Sequence, residues 1–494
     1  MSGKSRPGWG ERWGHLPEAL RWKPGGKPRV WIHAVSAGEV VAAVPILREL
    51  RARLPEHELL LSVITPGGQE MAAQQAAKFV DAIFYFPFDF PWVARRVAQQ
   101  IRPQVFVSLE SELWPNALHA LKRQGAATVM VNGRISERNF RRASRFGGGI
   151  FRWTLGNVDR LLVQSAADAE RVRALGGGQI APERIAILGN SKFDQEIKRL
   201  TPDEVLALRR ELKLPETAPV FVAGSTRSPE EEAQVIAAYQ TMQAAVPELC
   251  LLIAPRHIER AEEIAAAMKA AGLSPVRRTQ LAEAAAPVRH LLLDTLGELA
   301  NVYAVAAIAF VGNSFEPVVK GGGQNLLQPL AHGKPVLFGP RIATIRSEAA
   351  LATEAGVGFQ VADGAALAAE GRRLLLDETA RREIETRALA LIAANRGVSA
   401  KYAAAVAELA GKAPLPGSPP KNRGREQLMC RLLLLFARLA FLLPVILSAA
   451  KNLKAETPRF TQGDSFEQGD RGTYPPAHSL PSLCSWGEGQ GGGP

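Results

Sequence analysis

Residues 310–340 read FVGNSFEPVVKGGGQNLLQPLAHGKPVLFGP. An apolar run, residues 306–311, has the length and composition of a strand. It feeds a glycine loop, Gly321-Gly322-Gly323, followed by Gln324 and Asn325. A helix-like run with Gln328, Pro329 and Ala331 leads to a second apolar strand over residues 335–338. Glycines without Cβ let backbone N–H groups come close to a ligand, and the helix N-terminus behind them favours an anion. Taken alone, the run also fits a tight βα turn that binds nothing. The rest of the chain decides for a nucleotide.

On both sides of this stretch, apolar strands alternate with helical runs. Toward the N-terminus the strands fall at residues 30–35, 59–64, Ala82–Tyr85, Val105–Leu109, 128–131 and 160–164. A helix follows the first, over 38–54, and a Thr65-Pro66-Gly67-Gly68 turn leads into another over 69–79. A polar, linker-like stretch covers 192–219, with Thr201-Pro202-Asp203 as a helix cap. The alternation restarts at 220–223 and continues at 251–254, 290–293, 306–311 and Val336–Phe338. This is the βαβ signature of parallel sheets covered on both faces. The expected fold is α/β: two Rossmann-like, doubly wound domains facing a cleft, with ligands at the carboxyl ends of the strands. The expected boundaries are 1–29 for a basic N-terminal segment, 30–200 and 201–414 for the two domains, and 415–494 for a tail.

Composition narrows the function. The 494 residues are 47% hydrophobic and 22% charged, as in soluble α/β proteins. Cys250, Cys430 and Cys484 have no metal-ligand spacing and form no disulfide framework. No Cys/His cluster suggests zinc, and no cofactor is expected. The formal net charge is +12, of which residues 1–30 hold +5 and residues 412–494 hold +4, leaving only +3 for the folded part. No aromatic–basic pattern supports nucleic-acid binding. The basic N-terminus suits an anionic lipid surface or substrate, or is a solvated tail.

The chemistry sits in loops after strands. His33-Ala34-Val35-Ser36-Ala37-Gly38-Glu39 places a carboxylate at a helix start, either paired with the helix dipole or acting as a general base. Glu110-Ser111-Glu112-Leu113-Trp114-Pro115-Asn116 puts two carboxylates two residues apart at a strand end. Asn132-Gly133-Arg134-Ile135-Ser136-Glu137-Arg138 offers cations to an anionic ligand. In the second half, Gly224, Ser225 and Thr226 are suited to donate to a phosphate. Arg256 in Pro255-Arg256-His257 is suited to pair with phosphate or carboxylate through parallel hydrogen bonds, beside a histidine that reads as structural.

In this order, WIHAVSAGEV, SLESELWPN, VNGRISERNF, GNSKFD, AGSTRSPEEE, APRH and FVGNSF…GGGQNLLQPLAHGKPVLFGP resemble the Kdo transferases, over about residues 30–411. Those enzymes attach 3-deoxy-D-manno-oct-2-ulosonic acid (Kdo) to the lipid A precursor in Gram-negative bacteria. The resemblance implies a GT-B fold with an N-terminal acceptor domain and a C-terminal domain for CMP-Kdo. It implies an inverting, metal-independent transfer, made peripherally at the cytoplasmic face of the inner membrane. By matching motif, Glu39 resembles the general base, and Glu110 or Glu112 an essential acid of the acceptor side. Ser36, Gly38, Asn132 and Arg134 fall on the acceptor side. Ser225, Thr226, Arg256, Gly321, Gly322, Gly323, Gln324, Asn325 and Gln328 fall on the donor side. Another GT-B enzyme using a UDP-sugar, transferase or epimerase, would suit the same loops, as would a decayed nucleotide-binding protein.

The chain departs from the family's pattern in several places. Gln324 stands where the glycine loop usually has histidine, and Gln328 where a glutamate commonly grips the ribose. Glutamine keeps hydrogen bonding but loses the charged acceptor. The family's hydrophobic N-terminal anchor has no counterpart here; the chain starts late or associates through its surface. The apolar run 429–450 contains Arg431, Arg438 and Pro444. With the Gly/Ser/Pro-rich 457–494 behind it, the expectation is a read-through product, with a membrane anchor as the alternative.

Overall fold

The computed structural model describes residues 7–146, 148–316 and 322–413. Gly321 and the apolar run 429–450 lie outside the described residues.

Two parallel seven-stranded sheets organise the chain. The first holds β1 (Arg29–His33), β2 (Glu58–Val63), β3 (Ala82–Tyr85), β4 (Val105–Leu109), β5 (Ala127–Gly133), β6 (Arg160–Val163) and β7 (Ile185–Ile187) in the order 3-2-1-4-5-6-7. The second holds β8 (Val220–Thr226), β9 (Cys250–Pro255), β10 (Val276–Arg277), β11 (His290–Leu292), β12 (Ile308–Val311), β13 (Val336–Phe338) and β14 (Gly358–Gln360) in the order 10-11-9-8-12-13-14. The expected pair of doubly wound sheets is what the chain forms. The central strands β1, β4, β8, β9 and β12 are buried along their length, apart from Ser225, which accounts for their continuous apolar runs.

The strand order turns back between β1 and β4 in the first sheet and between β8 and β12 in the second. Helices leave to opposite faces there, so a crevice opens at the strands' carboxyl ends. Loops 34–39 and 110–116 leave the first of these points, and loops 225–228 and 312–316 leave the second.

Several short elements escaped the sequence reading. β7, β10 and β14 have two or three residues each and lie at or next to sheet edges, so no long apolar run marks them. Thr65-Pro66-Gly67-Gly68 is not a turn: Pro66 starts the helix Pro66–Met71, and Thr65 caps it by accepting the Gly68 N–H at 3.0 Å. Proline is at home there because the missing N–H has no intrahelical partner anyway. The polar stretch 192–219 contains the helix Pro202–Glu211, started by a full capping box of Thr201 and Glu204.

Packing also revises the second boundary. The helix Val398–Lys412, expected within 201–414, lies on the first sheet's layer. Val398, Tyr402, Ala403, Val406 and Ala410 share a core with Val40, Leu47 and Leu50 of the helix Ala37–Arg53. The Tyr402 hydroxyl donates to the Gly189 carbonyl at 2.7 Å, and Gln104 Nε2 to the Ala410 carbonyl at 2.8 Å.

Candidate active site

Three carboxylates meet at the first switch point. Glu39 lies in the first turn of the helix Ala37–Arg53. It accepts the Val35 N–H at 2.8 Å and the Ser36 hydroxyl at 3.3 Å. Glu110 leaves β4 with φ of 51°, its N–H still bonded to the Val131 carbonyl at 3.0 Å. Burial, then the Glu112 and Glu110 charges, pushes the Glu39 carboxyl well above its ordinary range. Burial, then Glu110, raises Glu112 to about 7. Burial and the neighbouring carboxylates thus favour the protonated forms of Glu39 and Glu112, which suits them to exchange a proton with a hydroxyl.

One cation faces the cluster. Lys192 Nζ lies 4.0 Å from Glu110 Oε1 and 3.4 Å from Glu348 Oε1. Burial opposes its charge, but Glu348 and Glu110 hold its pKa above the ordinary lysine value. Glu348 comes from the second lobe, on the helix Arg346–Glu354.

Of the acceptor-side residues read from sequence, Ser36 and Gly38 stand beside Glu39. Nothing lies within 4 Å of where a Gly38 Cβ would be, so the space there is open. Asn132 is fully buried: its Oδ1 accepts the Ser191 N–H at 3.0 Å, while its Nδ2 has no hydrogen-bond partner among the described residues. Arg134 reaches across the cleft and donates to the Ala343 and Thr344 carbonyls at 2.6 and 3.0 Å.

At the second switch point, Ser225 has φ of 60° and the β8–β9 register shifts around it. Thr226 is corrected as a phosphate donor: it is fully buried and its hydroxyl donates to Glu232 Oε1 at 3.0 Å. Arg260 holds the same carboxylate through two bonds at 2.9 and 2.8 Å. Beside them Glu231, buried, accepts the N–H groups of Arg227 (3.0 Å), Asn313 (2.8 Å), Ser314 (2.9 Å) and Phe315 (3.2 Å). One carboxylate thus ties the β8 exit to the β12 exit.

The cations here are free for an anion. Arg256 is exposed and Arg227 half-buried, and neither guanidinium pairs with an acid among the described residues. Burial, then Arg256, lowers the Arg227 pKa, and burial with Arg227 and Arg256 lowers that of His257. Cations that disfavour one another stabilise a shared anion.

The glycine loop follows. Gly322 and Gly323 have φ of 62° and 86°, and a Cβ on Gly322 would stand 2.6 Å from the Arg341 carbonyl oxygen, so glycine is required. Thr344 Oγ1 donates to the Gly322 and Gly323 carbonyls at 2.9 and 3.0 Å. Asn325 Oδ1 accepts the Leu327 N–H at 2.9 Å, and its Nδ2 donates to Gln195 Oε1 at 2.9 Å. Gln324 and Gln328 are half-buried and make no side-chain hydrogen bond among the described residues.

Sequence reasoning missed Lys192, Glu348, Glu231 and Arg227 as site residues. Lys192 sits inside GNSKFD and Arg227 and Glu231 inside AGSTRSPEEE, so the signal was present without a role. A second missed signal is backbone strain. Glu110, Asn132, Ser225 and Asn313 all have positive φ at strand ends along the cleft. Such conformations cost about 1–3 kcal/mol each and gather at functional sites.

Two parallel doubly wound sheets with their switch-point loops around one cleft are the GT-B architecture of glycosyltransferases and sugar-nucleotide epimerases. A UDP-GlcNAc 2-epimerase from Neisseria meningitidis bound to UDP-GlcNAc has this fold, with a TM-score of 0.53 and 12% identity, over 78% of this chain and all of that one. Residues 7–195 match the family model described as 3-deoxy-D-manno-octulosonic-acid transferase (kdotransferase). The 3-deoxy-D-manno-octulosonic acid transferase of Bordetella pertussis is 33% identical over 75% of this chain and 85% of its own length. That of Haemophilus influenzae is 32% identical over 67% and 74%. The chain belongs to the Kdo transferase family and is a glycosyltransferase.

Proposed function

We propose that the cleft transfers Kdo from CMP-Kdo to a hydroxyl of a lipid A precursor, lipid IVA, in lipopolysaccharide synthesis, with inversion and without a metal. The observation that carries this is the Glu39–Glu110–Glu112 cluster, which belongs to the first lobe, while the unpaired Arg227 and Arg256 belong to the second. The acceptor oxygen attacks the anomeric carbon as its proton passes to Glu39. The bond from that carbon to the CMP phosphate oxygen breaks on the opposite face. Arg256 and Arg227 offset the charge that builds on the phosphate. Ser36 and Arg134 line the acceptor approach, and Gly38 leaves room for it.

We further propose attachment at the cytoplasmic face of the inner membrane through the protein's surface. Among the described residues no helix is long and apolar enough to cross a membrane. An aromatic shelf follows β3: Trp92 stacks on Phe90 at 5.0 Å and Phe90 on Trp13 at 5.7 Å. Trp9 and Trp92 are 44% and 52% exposed, with the exposed Arg95 and Arg96 on the same helix as Trp92. Exposed tryptophan beside arginine suits a lipid interface.

The test is incubation with CMP-Kdo and a tetra-acylated lipid A precursor, with products weighed by mass spectrometry and UDP-sugars run in parallel. One or more added Kdo masses are expected. Turnover with a UDP-sugar alone would reject the reading.

A further inference from the structure

The loop that would hold the donor and the cluster that would activate the acceptor are joined by one short segment, Arg341 to Glu348. At its near end Thr344 donates to the carbonyls of Gly322 and Gly323, and its N–H adds a bond to Gly322 at 3.1 Å. At its middle Arg134 of the first lobe grips the Ala343 and Thr344 carbonyls. At its far end Glu348, only 3% exposed, sits 3.4 Å from Lys192 Nζ. Asn190 Nδ2 at 3.1 Å and the Ser347 hydroxyl at 2.8 Å hold that carboxylate in place. Lys192 reaches Glu110, and Glu110 is felt by Glu39 and Glu112. Every link as far as Glu110 is a direct contact, and the last one is electrostatic.

We propose that Thr344 and Glu348 are positioning residues: Glu348 fixes Lys192 against Glu110, and Thr344 ties that placement to the glycine loop, so that donor binding sets the acid–base cluster. This rests on reading the cleft as a transferase site. The charged groups facing Lys192 are Glu348, Glu110 and Arg134. Burial works against its ammonium, and the acids outweigh it. Without Glu348 one acid, 4.0 Å away, is left to oppose both burial and Arg134.

Lys192 can be followed directly in the full-length protein by reductive ¹³C-methylation and NMR, with its resonance assigned from Lys192→Arg. In Glu348→Gln the amine should titrate about one pH unit or more below wild type. Glu348→Asp should restore most of the difference. In wild type, added CMP should shift the Lys192 resonance, and in Thr344→Val that response should be lost while CMP still binds. An unchanged Lys192 titration in Glu348→Gln overturns the role of Glu348. An undiminished CMP response in Thr344→Val overturns the link to the loop, and that variant keeps every charge if the first folds poorly. Calorimetry separates the two readings. Wild type that fails to bind CMP rejects the transferase site, whereas binding without the Lys192 effects rejects the positioning roles of Thr344 and Glu348 alone.

Discussion

Replacing Glu231 by alanine should both destabilise the second lobe and loosen its donor side. The carboxylate receives four backbone N–H groups, and three of them, from Asn313, Ser314 and Phe315, belong to buried residues. A buried donor left without an acceptor costs about 1–3 kcal/mol. Three such donors give roughly 3–9 kcal/mol, toward the lower end if water enters the space left by the side chain. Glu230 is the internal control: it precedes Glu231, is exposed and makes no side-chain hydrogen bond among the described residues. Glu230→Ala should stay within about 0.5 kcal/mol of wild type. Urea unfolding followed by circular dichroism measures both variants, and hydrogen exchange at residues 313–315 shows whether the loss is local. CMP affinity should fall in Glu231→Ala and not in Glu230→Ala, because the freed loop leads into the glycine loop. Equal stability of the two variants, with protection at 313–315 intact, would refute the brace.

Glu39→Gln should keep the fold and CMP binding but lose on the order of a hundred-fold or more in kcat, since an amide accepts no proton; near-normal turnover ends its assignment as base. Glu112 is raised to about 7 from an ordinary 4.5, so it favours the folded state when protonated. Its contribution is complete below about pH 4.5 and is lost as pH climbs through about 7; melting curves of Glu112→Gln across that window should therefore fall less steeply than those of wild type. Turnover should survive excess EDTA, and loss on chelation with recovery on Mg²⁺ would point to a different class of transfer. Arg227→Met should raise the KM for CMP-Kdo several-fold, and steady-state kinetics giving an unchanged KM would remove Arg227 from the donor site.

Much of this was legible in the chain because burial writes itself into composition. Strands flanked by helices on both faces must be apolar throughout, so β1, β4, β8, β9 and β12 stand out as short hydrophobic runs. Strand ends then locate loops, and Glu39, Glu110, Glu112 and Arg256 follow from loop position. What stayed hidden depends on distance between remote residues. Nothing in SKFD announces that Lys192 meets Glu348, 156 positions later. Thr226 shows the opposite failure. It is a polar residue at a strand end, as a ligand contact would be, yet its hydroxyl is taken by Glu232. A buried polar side chain that serves the fold and one that serves a ligand look alike in sequence, since both must be satisfied. The helix Val398–Lys412 was misplaced for a related reason: its apolar stripe says that one face is covered, not by which sheet.

That returning helix has a mechanical consequence. The chain passes between the lobes twice, after β7 and again near Gly397. Asp194 in the first passage accepts the N–H groups of Gly397 and Ser399 in the second, at 2.6 and 2.5 Å. Two strands of chain pinned side by side act as a door's paired hinges: they leave opening and closing about one line and resist twisting and sliding. They also make the first lobe a poor candidate for expression by itself. Cut at residue 200, it would lose the helix that covers Val40, Leu47 and Leu50 and present that apolar strip to water. A circular permutant that begins near residue 398 and joins the returning helix ahead of β1 would keep the strip covered, and is the form in which that lobe should be made alone.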